Sequence, residues 1–268
     1  MNRTGLMITL AIAASVGLIF GLYPELDLKI AGLFYDPAVK DFPARVNPSW
    51  GFVRDAAMWV VSVIAAPAFI ALAIKIIRPR GKLLIAGRAL VFLIATLALA
   101  PGLVANVVLK ENWQRSRPID VSQFDGPARS TADERFTAWW DPRGTCAKNC
   151  SFIGGESSGA FWTLAPAALS PPAWRPFAYG AALAFGTGVG LLRMAFGAHF
   201  LTDIVFSGVI VFLVIWLTHA LIYRWRLTRI TDEAVERLIE RVALPPHDAV
   251  NAVFAAVFRR GRVPGGKP

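Results

Sequence analysis

The sequence predicts an all-α, polytopic membrane protein built as a bundle of six transmembrane helices. Hydrophobic residues make up 55% of the 268-residue chain and charged ones only 17%, too apolar a balance for a soluble domain of this length. The apolar residues also gather into runs of about 18 or more, the length that crosses a hydrocarbon core about 30 Å thick. These runs fall near 5–22, 53–74, 88–109, 152–170, 177–192 and 201–223.

The first run has a basic start and small residues, features shared with cleaved signal peptides. It is read as a retained span, because removing it would leave an odd number of crossings. "PELDLKIAGLFYDP", residues 24–37, alternates acidic and apolar positions at helical spacing and is expected to lie on the outer membrane face as an amphipathic helix. The second and third runs enclose Lys75, Arg78, Arg80, Lys82 and Arg88, Arg175 separates the fourth and fifth, and Arg224, Arg226 and Arg229 follow the sixth. Basic residues favour the cytoplasmic side, so both termini are expected inside and the connections 23–52, 110–151 and 193–200 outside. The formal net charge of +10 is thereby assigned to membrane topology, and no nucleic-acid partner is expected.

Residues 1–225 form the six-span domain, and about 110–151 is an ordered outer-face loop rich in Pro, Gly and Trp. That loop holds both cysteines. Cys146 and Cys150 are either a disulfide in an oxidising compartment or two free thiols, and nothing nearby suggests a metal site. The remainder, 226–268, reads as a cytoplasmic helical tail: Val235, Leu238, Ile239 and Val242 share one face, and a similar stripe follows Pro245 and Pro246.

The topology brings a set of charged residues to one membrane face. The third run ends at Lys110 in "KENWQRSRP", which also contains Arg115 and Arg117. The fourth begins after "NCSFIGGESSG", which contains Glu156. The fifth emerges at Arg193 and the sixth departs from His199 and Asp203 in "RMAFGAHFLTD". Lys110, Arg117 and Arg193 suit a dianionic phosphate, which arginine grips bidentately. His199 and Asp203 are four residues apart and share a helical face. The carboxylate is expected to accept one ring N–H and leave the other nitrogen as a neutral nucleophile.

"KENWQRSRP" and "RMAFGAHFLTD" resemble the first and third signature motifs of the type 2 phosphatidic acid phosphatase superfamily, the membrane lipid phosphatases that share their active site with vanadium haloperoxidases. The resemblance covers about 1–225. It implies a cofactor-free, metal-independent phosphomonoesterase that forms a phosphohistidine on His199, with Asp203 orienting that ring and Lys110, Arg117 and Arg193 binding phosphate. The middle motif departs from the usual Pro-Ser-Gly-His, with Ile153, Gly154, Gly155 and Glu156 in its place. Glu156 is then the general acid, and the Gly154 and Gly155 backbone binds phosphate without the missing hydroxyl. A second register would use Ser158 and Gly159, with Ala160 where the histidine stands. "CAKNCSFIGGESS" resembles a Glu-containing branch that includes bacterial lipid A phosphatases.

The implied function is removal of a phosphate from a lipid (lipid A, phosphatidylglycerol phosphate, phosphatidic acid or undecaprenyl pyrophosphate) at the periplasmic face of a bacterial inner membrane. The implied partners are that lipid and the bilayer. Two other readings compete: a lipid-to-lipid phosphotransferase using the same intermediate, and a catalytically silent lipid-phosphate binding protein or transporter.

Overall fold

The computed structural model describes residues 2–126, 134–225, 228 and 230–260, with 254–260 described by backbone alone. Arg226 and Arg229 lie outside the described residues. Nine helices are followed here: α1 (Arg3–Leu22), α2 (Glu25–Gly32), α3 (Pro48–Ile77), α4 (Gly87–Asn112), α5 (Gly155–Phe161), α6 (Leu164–Leu169), α7 (Arg175–Ala195), α8 (Leu201–Arg224) and α9 (Asp232–Arg260). Among the described residues there is no strand, only an isolated bridge between Asp36 and Asp41.

Their starts follow local chemistry. Asn2 caps α1 by accepting from the Gly5 N–H at 2.9 Å, and Asn47 caps α3 through the Ser49 N–H at 3.0 Å, with Pro48 in the first turn. Pro176 opens α7 in the same way. Pro101 interrupts the α-helical pairing of α4, which winds as a π-helix over Ala98–Leu109, and Asn106 Nδ2 donates to the Pro101 carbonyl at 2.6 Å.

Among the described residues five helices, α1, α3, α4, α7 and α8, are long and apolar enough to cross a membrane. Met7, Leu18, Trp59 and Val63 are exposed on α1 and α3, as hydrocarbon-facing residues would be. The fourth apolar run differs from expectation. It forms two short helices, α5 and α6, and neither is long enough alone. Phe161, Trp162, Leu164, Ala165 and Ala168 are buried, so this run directs its apolarity toward protein.

Glycines make room for it. A Cβ on Gly186 would stand 2.2 Å from the Phe161 ring, and one on Gly190 would stand 2.1 Å from Ile204. Bare backbone on α7 therefore lets α5 and α8 approach closely, the usual solution for helix packing in lipid. Trp162 Nε1 donates to Thr96 Oγ1 at 3.0 Å and ties the break to α4.

The tail is one continuous helix, α9, running through Pro245 and Pro246, and it packs against α3 and α4. Buried Lys75 donates to Glu236 at 3.1 Å and to the Gly81 carbonyl at 2.7 Å, and Glu240 lies 3.7 Å away. Arg88 pairs with Asp232 and Arg80 with Asp248. Much of the basic charge between α3 and α4 is thus matched by tail carboxylates. Helix α2 also departs from a purely interfacial role, because its Asp27 is buried against α8.

Candidate active site

The ends of α4, α5, α7 and α8 opposite the docked tail carry the expected residues. His199 lies in the Phe196–Phe200 connection between α7 and α8. That turn needs Gly197 at φ 66°, where a Cβ would meet the Phe42 ring at 2.5 Å.

His199 is 2% exposed, and its Nδ1 donates to the Ser151 carbonyl at 2.8 Å. This bond sets the tautomer and leaves the lone pair on Nε2. Cδ2, the carbon joined to Nε2, lies 3.4 Å from where a Cβ on Gly154 would stand. The Nε2 edge of the ring therefore faces the start of α5. Burial, followed by the positive charges of Arg193, Arg117 and Lys110, holds His199 well below the ordinary histidine range.

Asp203 does not take the expected bond. Its nearest oxygen is 3.9 Å from His199 Nδ1, too far for a hydrogen bond. Its Oδ2 instead accepts from Ser151 Oγ at 2.5 Å and from the Phe200 N–H at 2.8 Å, and its Oδ1 from Arg115 at 2.5 Å. The link from carboxylate to imidazole passes through Ser151: hydroxyl to Asp203, carbonyl to His199. The direct orientation expected from sequence is corrected accordingly, because the start of α8 turns Asp203 back onto the N–H of Phe200, the residue that precedes the helix.

Lys110, Arg117, Arg193 and Glu156 are close enough to perturb one another electrostatically. Arg193 Nε lies 3.4 Å from Glu156 Oε2, an ion pair without a hydrogen bond. Arg117 Nε donates to the Asn149 carbonyl at 2.9 Å. Gly154 and Gly155 stand at the start of α5, where N–H groups lack helical acceptors. A Cβ on Gly155 would meet Asn106 Oδ1 at 2.5 Å. In the second register, Ser158 is buried with its hydroxyl on the Gly154 carbonyl at 2.7 Å, and Ala160 is buried. The first register, with Glu156 beside the cations, is the one the geometry favours.

Several contributing residues were not singled out from the sequence. Fully buried Arg115 donates to Asp27 at 2.8 Å, Asp203 at 2.5 Å and Thr202 at 2.8 Å, and stacks 4.5 Å from the Phe200 ring centre. Asp27 also accepts from the Thr202 N–H and hydroxyl. Arg54, near the start of α3, acts electrostatically on both Glu156 and Arg193. Cys146 and Cys150 form a disulfide, which resolves the two alternatives left by their spacing.

Residues 88–227 match the family described as the PAP2 superfamily. The lipid A 4'-phosphatase of Francisella tularensis subsp. novicida (strain U112) is 33% identical over 231 residues, spanning 84% of this chain and 98% of that protein. The lipid A 4'-phosphatase of Rhizobium leguminosarum is 30% identical over 199 residues, 70% of this chain and 83% of its own length. No solved structure matches the chain. With a family match over the part of the chain that carries the histidine, its cations and the helices that gather them, this polytopic helical protein belongs to the PAP2 superfamily and is a phosphatase.

Proposed function

We propose that the protein removes a phosphate monoester from a lipid A-like glycolipid at the periplasmic face of a bacterial inner membrane, through a phosphohistidine on His199. One observation carries this reading: a buried neutral imidazole, its Nδ1 proton held by a carbonyl, faces a cluster of Lys110, Arg117, Arg193 and Glu156. The names of the two relatives support the lipid class.

The three cations and the Gly154–Gly155 backbone hold the phosphate oxygens and offset charge building at phosphorus. His199 Nε2 attacks in line, the bond from phosphorus to the lipid oxygen breaks, and Glu156, which takes up a proton when the phosphate displaces it from Arg193, delivers that proton to the departing oxygen. Water then attacks phosphorus, Glu156 takes its proton, and the phosphorus–nitrogen bond breaks to release phosphate and neutral His199. Asp203, joined to the ring through Ser151, balances the charge of the phosphorylated imidazole. A site at helix ends suits a substrate whose acyl chains remain in the bilayer.

Six crossings remain the favoured topology. Helix α7 starts at the end opposite the site, so the α5–α6 pair must carry the chain across the bundle and counts as the fourth crossing. Basic Lys75, Arg78, Arg80, Arg88, Arg175 and Arg224 then lie in the cytoplasm with both termini, and α9 rests at the inner headgroups.

The test is phosphate release by purified protein in detergent from lipid A, phosphatidylglycerol phosphate and phosphatidic acid, with a chelator present. Activity on lipid A, lost in His199→Ala, together with an acid-labile, alkali-stable phosphoenzyme, is the expected result. A strict metal requirement, or transfer of labelled phosphate to a second lipid without free phosphate, would sink the reading.

A further inference from the structure

The five-residue ring closed by Cys146 and Cys150 is packed against the segment that carries Arg117. The Cys146 N–H donates to the Gln114 carbonyl at 3.1 Å, and the Ser151 N–H donates to the Arg115 carbonyl at 2.7 Å. Gly144 is needed for this approach, since a Cβ there would overlap the Gln114 carbonyl at 1.7 Å. The ring and the residue after it then supply three contacts to the site. The carbonyl of Asn149, itself at φ 57°, receives Arg117 Nε; the Ser151 carbonyl receives His199 Nδ1; the Ser151 hydroxyl donates to Asp203. Ser151 is fully buried and both cysteines are nearly so.

Two of these three contacts come from backbone carbonyls, whose direction depends only on the local chain path. A disulfide across three residues restricts that path strongly, and two backbone bonds, one from Cys146 and one from Ser151, fix the ring and the residue after it to Gln114 and Arg115. We infer that Ser151 is a positioning residue for the reaction, and that the Cys146–Cys150 ring, by setting the direction of the Asn149 and Ser151 carbonyls, aligns Arg117 and His199 together. The inference rests on His199 being the nucleophile. It makes the ring part of the working site, connected to substrate through the two side chains it orients.

Full-length protein in detergent, assayed for phosphate release from lipid A, tests this with five variants, each checked for a monodisperse elution profile and a cooperative melt. His199→Ala isolates the underlying reading: if it keeps wild-type turnover, that reading fails before the inference is addressed. With His199→Ala inactive, Ser151→Ala is expected to lower kcat by about a hundredfold with KM unchanged, and Ser151→Thr, which retains the hydroxyl, to recover part of the loss. The double variant Cys146→Ala/Cys150→Ala is expected to lower kcat and raise KM together, because both carbonyls are released. Wild-type kcat and KM in the folded double variant would overturn the role of the ring, and wild-type kcat in Ser151→Ala would overturn that of the Ser151 hydroxyl. Should the double variant fail to fold, Asn149→Val decides the Arg117 half: it keeps the disulfide but sets a β-branched residue at positive φ. A raised KM is expected there, and an unchanged one would refute the alignment of Arg117.

Discussion

Asp203 and His199 do not touch: 3.9 Å separates the carboxylate from Nδ1, and the imidazole proton goes to the Ser151 carbonyl. Asp203→Asn therefore leaves the Nδ1 bond to the Ser151 carbonyl in place, while it removes the charge behind the ring and one of the two counter-charges of buried Arg115. A kcat loss of about a hundredfold is expected, against the roughly ten-thousandfold cost of a wrong tautomer in a serine-protease triad. Steady-state kinetics on lipid A separate the two cases.

The pH profile follows from the depressed pKa of His199. A nucleophile must be unprotonated, and lowering its pKa extends the neutral form to more acidic pH. The acid limb of kcat/KM that reports His199 is expected well below the ordinary value of about 6.5. Arg117→Gln removes one of the charges that depress the ring, so the limb should move to higher pH even as overall activity falls. A limb that stays in place would separate the two groups electrostatically.

Glu156 is expected to matter in proportion to the leaving group. Glu156→Gln should lower kcat on lipid A by about a hundredfold or more. On an aryl phosphate, whose leaving oxygen departs without a proton, the loss should be much smaller. Equal losses on both substrates would assign Glu156 to binding, as its ion pair with Arg193 also allows.

Arg115 holds two buried carboxylates at once. Replacing it with Ala strands Asp27 and Asp203 without their counter-charge, and breaking a buried pair costs about 3–5 kcal/mol. Thermal melting in detergent should show a large loss of stability. Arg115→Lys keeps the charge but loses the fork that reaches Asp27, Asp203 and Thr202 together, and should recover only part of it.

What could be read from the sequence was what residue type and spacing encode. Lys110, Arg117, Glu156, Arg193 and His199 are polar groups at the ends of apolar runs, and their convergence follows from topology. Ser151 was illegible because one of its contributions is a carbonyl, which every residue possesses, and the other is a hydroxyl whose partner Asp203 lies 52 positions away. Asp27 did not stand out because periodicity shows which face is polar and not what that face meets; its partner Arg115 lies 88 positions away. The break at Trp162 escaped notice because hydropathy scores apolarity without distinguishing lipid from protein as the environment.

That break bears on how the protein is assembled. Helices with lipid-facing surfaces can enter a bilayer separately and associate afterward, but α5 and α6 are short and sheathed by α4, α7 and α8. They become favourable only once those neighbours stand around them. Glu156 rides on this segment, so until α4, α7 and α8 close around it the carboxylate stands apart from Arg193 and His199.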